Sequence, residues 1–228
     1  MKRPNLNVET NCLVHKIIVV REKATGVVYE RGGNIMVAQA AKEIILRTRE
    51  GLAAPDIELI FAPAFFMEHG TVNPPGHGFT IGTILLRPES RGSITLRSGD
   101  VRIHPSIRAN YLSTDTDIAT LLAGVHYARR LAATPPFEPY RGDEIWPGAE
   151  KQTDEELTAF IREKVETLYH PVGTCKMGSD TMGVVDDQLR VRGVAGLRVA
   201  DASIMPTIIG GHTHAAATMI GERVAAGA

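Results

Sequence analysis

The chain has 228 residues, with 25 basic against 26 acidic side chains and 43% hydrophobic residues. That length is enough for one large domain or two small ones with a substantial buried core. The balanced charge leaves no electrostatic footprint for nucleic acid or an acidic membrane surface, and the longest apolar runs are far too short to span a bilayer.

The first stretch reads as β. Leu6-Asn-Val8 alternates, Cys12 to Val20 is rich in β-branched residues, and Gly26 to Tyr29 follows a Lys23-Ala-Thr-Gly26 turn. Ile35 to Val37 and Glu43 to Leu46 complete a small meander, so residues 1–46 form a first unit. A second β-rich region follows Arg47. Ile57 to Phe61 and Gly78 to Leu86 are strands around the loop Asn73-Pro-Pro-Gly-His-Gly78. Ser93 to Arg97 and Val101 to Ile103 flank Ser98-Gly99-Asp100 and predict a hairpin. Two helices come next. Thr114 caps a run with Ile118, Leu121, Leu122, Val125 and Leu131 at helical spacing. Thr153 and Glu156 form a capping box before Leu157, Phe160, Ile161, Val165 and Leu168. Residues 47–168 make the second unit. Trp146, Tyr140 and Phe65 are read as core packing rather than pocket lining.

Residues 169–228 carry the chemistry. His170 lies where the Thr153 helix must stop, and Pro171 pushes it into extended geometry. An imidazole there can accept a proton near neutral pH, or simply face a helix C-terminus. Gly196-Leu-Arg-Val-Ala reads as a buried strand ending at Asp201. An Asp at that position faces a ligand or caps a turn. Pro206 to Gly211 is a tight loop, and His212 and His214 lead into a last helix over roughly Ala215 to Ala225. Its N-terminus presents unpaired amides and partial positive charge, suited to an anionic group. His212-x-His214 has no carboxylate or cysteine beside it at zinc spacing, so no metal is expected. No signal-peptide core follows Met1. Cys12 and Cys175, far apart and outside any Cys-x-x-Cys, read as reduced thiols in a cytoplasmic setting.

Three pieces resemble the C-terminal end of the glucose–methanol–choline (GMC) oxidoreductases. They are His170-Pro-Val-Gly-Thr-Cys-Lys-Met-Gly178, Asp201-Ala-Ser-Ile-Met-Pro206 and Pro206 to His214. Phe61-Ala-Pro-Ala, Leu86-Arg-Pro-Glu-Ser-Arg-Gly-Ser and Arg108-Ala-Asn-Tyr-Leu-Ser are similar to choline-dehydrogenase-type members. The resemblance implies an α+β fold: a mainly antiparallel substrate-domain sheet backed by helices, plus part of an FAD domain. It implies that His170 and His212 are catalytic, taking the proton of an alcohol while hydride passes to flavin N5. It implies that Val14, Asp201, Ala202, His214 and Ala215 border the FAD.

The chain also departs from the family. It contains no Gly-x-Gly-x-x-Gly, and Leu46 runs straight into Arg47-Thr-Arg-Glu-Gly-Leu, which belongs to the later substrate region. Two readings follow. One is an alcohol oxidoreductase whose FAD-binding half comes from a partner chain; the other is a non-catalytic remnant that holds no flavin. Under either, Ile17 to Val20 and Ile44 to Leu46 lose the domain they lean on, which predicts association when the chain is expressed alone.

Overall fold

The computed structural model describes residues 13–20, 23–31, 34–39 and 43–227, with the backbone alone before residue 44. It is a mixed α/β fold of small antiparallel sheets and helices. Leu6 to Val8 and Cys12 lie outside the described residues. Strands β1 (Leu13–Val20), β2 (Lys23–Arg31) and β3 (Asn34–Gln39) form the expected antiparallel meander. Strand β4 (Glu43–Leu46) pairs instead with β5 (Ile57–Ala62), Leu46 opposite Ile57. Strand β6 (Thr80–Leu85) completes that second sheet on the other side of β5.

Strand β5 is central and covered on both faces. Ile57 and Leu59 point into the core, and Glu58, facing the other way, is buried too. Helix α1 (Asp115–Ala132) packs on β5 and β6. Gly124 allows the close approach: a Cβ there would stand 3.1 Å from the Ile57 side chain and 3.2 Å from Thr83. Ile57, Leu112, Ile118, Leu121, Val125, Leu157 and Ile161 make one core cluster, with Leu46 packed at its edge. Asp117, buried in the first turn of α1, accepts the Glu89 and Ser90 amides at 2.8 and 2.9 Å. These bonds fix the turn after β6.

Both helix starts follow their capping residues. The Thr114 hydroxyl accepts from the Asp117 amide at 3.3 Å. At α2 (Asp154–Lys164) Thr153 accepts from the Glu156 amide, and the Glu156 carboxylate accepts the Thr153 amide. Thr153→Ala is expected to cost about 1 kcal/mol, read as a lowered thermal midpoint. Helix α2 stops earlier than its apolar spacing suggests. Val165 is already extended and Leu168 is exposed, so His170 lies on a connecting segment and not at the helix end.

Three further expectations are corrected. Ser93–Thr95 (β7) pairs with Ser106–Arg108 (β8), not with residues 101–103. Asp100 explains the change: its carboxylate takes the Arg102 amide and guanidinium, and its carbonyl takes the Ile103 amide, which folds 100–103 into a turn. Residues 196–200 are not a buried strand. Leu197 is exposed, and only an isolated bridge between Arg190 and Arg198 pairs this stretch. Tyr140, expected in the core, is exposed, whereas Trp146 packs edge-on against Phe160.

Candidate active site

The region after residue 169 is built on a second apolar cluster of Val185, Ile204, Met205 and Ile220. Backbone bonds hold its two motif segments side by side. The Cys175 amide donates to the Ser203 carbonyl at 3.0 Å, and the Met177 amide to the Ile204 carbonyl at 2.7 Å. Gly173 turns the first segment just ahead of these bonds with φ +88°, a left-handed conformation that a Cβ would strain. This zipper sets Gly173 beside the Met205 carbonyl, three residues after His170. The chain then loops through Gly210-Gly211, carrying His212 to the start of helix α3 (His214–Ala225).

The two imidazoles meet. Their ring centroids lie 5.1 Å apart at 88°, edge to face, although 42 residues separate them in sequence. His170 is half-buried, and the His212 side chain is 44% exposed. Burial, and next the charge of a protonated His212, push the His170 imidazole below its ordinary value. The neutral, proton-accepting form is therefore favoured at His170.

A third group was not foreseen. Glu58, 2% exposed on β5, brings Oε1 to 3.6 Å from His212 Nε2. Its signal in the sequence is a lone carboxylate inside the apolar run Ile57-Glu-Leu-Ile-Phe61. Strand alternation alone does not say that the second face of β5 is covered as well.

Asp201 is exposed and caps its own turn, a short 3₁₀ helix over Ala202–Ile204, accepting the Ser203 amide at 2.7 Å. Ser203, through its hydroxyl and then its amide, holds the Asp201 carboxyl below the usual range. Ala202 is half-buried in that turn. His214 and Ala215 are exposed in the first turn of α3, where the Thr213 side chain makes no capping bond. Val14 lies in β1 opposite Tyr29, and its side chain is outside the described residues. Among the described residues no cluster of His, Cys, Asp and Glu forms a metal site, and no helix is long and apolar enough to cross a membrane.

Comparison with known proteins places this geometry in a family. The family model for GMC oxidoreductases matches residues 88–221. An uncharacterized GMC-type oxidoreductase of Mycobacterium tuberculosis is 49% identical over 183 residues, which cover 79% of this chain and 35% of that protein. The oxygen-dependent choline dehydrogenase of Proteus mirabilis is 46% identical over 180 residues, again 79% of this chain and 32% of the relative. The chain thus spans about a third of the length of the curated relatives it matches. Among solved structures, pyridoxine 4-oxidase from Mesorbium loti superposes with TM-score 0.73 at 29% identity, covering 81% of this chain and 36% of that one. Formate oxidase of Aspergillus oryzae gives 0.70 at 31% identity, with 77% and 31% covered. This chain belongs to the GMC oxidoreductase family.

Proposed function

We propose that this chain provides the substrate side and the acid–base residues of an FAD-dependent oxidoreductase acting on the CH–OH group of a small alcohol. The observation that carries the reading is the edge-to-face contact of His170 with His212 on hydrogen-bonded motif segments. An alcohol hydroxyl seated beside both rings donates its proton to neutral His170, and His212 holds the oxygen as charge develops. Bound FAD supplies the acceptor for the hydride leaving the carbinol carbon.

The residues present fit one end of that cofactor and not the other. The imidazole pair and the α3 terminus would suit a reduced flavin ring, which His214 and Ala215 would border, while Asp201 and Ala202 would help hold the ribityl chain. The sequence has no glycine fingerprint to cradle a pyrophosphate. We assign that half to a partner chain. Two features support the assignment. His212 is open to solvent, whereas hydride transfer calls for a closed, dry site. The β7–β8 hairpin exposes Ile94, Leu96 at 87%, Val101 at 98%, Ile103 and Ile107. This apolar surface, unlike the half-buried Ile44 to Leu46, is of the kind that a partner covers.

The test is flavin retention. The chain alone should purify colourless and leave added FAD fluorescence unquenched. Co-expression with a flavin-binding half of the same family should give a yellow complex. A colourless chain under both conditions would favour the remnant reading.

A pH prediction follows from His170. Its proton-accepting form persists below the ordinary imidazole value of about 6.5, because burial and the His212 charge oppose protonation. Flavin reduction by alcohol in the complex should therefore hold at pH 6.5 and fall only at lower pH. His212→Asn, which removes the charge, should move the acid limb up toward 6.5. An acid limb already above 6.5 in the unmodified complex would contradict this.

A further inference from the structure

The connection between β5 and β6 reaches the segment carrying His170 through one polar cluster. The His69 amide donates to both Glu166 oxygens, at 3.0 and 3.1 Å. His69 Nδ1 is hydrogen-bonded to the Tyr169 hydroxyl and lies 3.4 Å from Glu166 Oε2. The His69 and Tyr169 rings are 5.7 Å apart, tilted by 53°. Alongside, Lys164 Nζ pairs with Glu68 Oε1 at 2.7 Å and stands 4.9 Å from the centre of the Trp146 ring.

Backbone strain concentrates at the same contact. Glu68, His69 and Tyr169 have φ of +46°, +56° and +61°, and none is glycine. Each left-handed residue costs free energy that its surroundings must offset. Burial does not hold Tyr169, which is 60% exposed. What holds it is the His69 contact and a bond from its own amide to the Thr167 hydroxyl at 3.0 Å. His170 follows directly, between this left-handed residue and Pro171, so the Tyr169 torsion sets the direction in which the imidazole leaves the chain.

We propose that His69, Glu166 and Tyr169 form a clasp that seats His170, which makes His69 and Tyr169 positioning residues for the active-site base. The clasp links the β5–β6 connection to the catalytic segment without touching substrate. Its importance for catalysis rests on the base role proposed for His170. The clasp itself is measurable with no flavin present, so the two can fail separately.

The experiment is imidazole NMR on the purified full chain, unmodified and as Tyr169→Phe, His69→Ala and His69→Gln. Tyr169→Phe and His69→Ala should both displace the His170 ring resonances. The ring of His126, hydrogen-bonded to Asp154 at 2.8 Å where α2 begins, should stay in place as the internal control. His69→Gln, whose amide can still engage the hydroxyl, should restore the His170 signal. Unmoved His170 resonances in Tyr169→Phe, in a protein that melts like the unmodified chain, would overturn the clasp. So would equal displacement of His126, or no restoration by His69→Gln. Should His69→Ala fail to fold, Tyr169→Phe, which removes a single oxygen, decides alone.

Discussion

His170→Gln is expected to lower alcohol-driven flavin reduction in the flavin-loaded complex by about 10²–10⁴-fold, the usual cost of removing a positioned base. Glutamine keeps a similar volume and a hydrogen-bonding end, but it cannot take up the proton that leaves the hydroxyl. The loss should appear in the reduction step, measured anaerobically by single mixing, with flavin content unchanged. His170 stands 5.1 Å from His212 between ring centres, so a base relocated to His212 is the competing outcome. A rate within a few-fold of the unmodified complex would remove His170 from the role.

The second large effect is on stability. Leu157 is 0% exposed and brings α2 into the main core cluster with residues of α1 and β5. Leu157→Ala removes its packing and leaves a cavity, at an expected cost of about 2–5 kcal/mol. Against the ~5–15 kcal/mol total typical of a folded domain, that is a large fraction. The thermal midpoint should fall by roughly 4–20 °C at this chain length. A drop under one degree would mean that the α1–α2 contact contributes little to the fold.

Where local signals governed the structure, the sequence was readable. The capping box of Thr153 and Glu156 and the Thr114 cap mark helix starts correctly, because caps are satisfied within a turn of where they occur. The meander and the β5 and β6 strands follow from β-branched runs. Ends set by distant partners were not readable. Apolar spacing carries on past Lys164 to Leu168, yet Val165 leaves the helix. Residues 196–200 have strand composition, but strand formation needs a neighbouring strand, and here only one bridge forms. The hairpin register was redirected by Asp100, whose carboxylate claims Arg102 locally. Strand β4 joined β5 because Leu46 finds the main core, which composition cannot reveal.

The site divides in the same way. Nothing in periodicity brings residue 170 to residue 212; motif resemblance did so, and the physical means are the Cys175–Ser203 and Met177–Ile204 backbone bonds. Glu58 escaped notice because its partner lies 154 residues later. The His69–Tyr169 contact is equally non-local, joining a surface turn to the residue before His170.

The central proposal is that this chain brings the His170–His212 pair to a flavin whose pyrophosphate cradle lies outside these 228 residues. Its most direct test is anaerobic mixing of a small alcohol with the flavin-binding half, alone and after this chain is added. The account predicts that the visible flavin absorbance bleaches only when the chain is present, and that His170→Gln abolishes the gain. Bleaching at the same rate without the chain, or none with it in a yellow complex, would contradict the account.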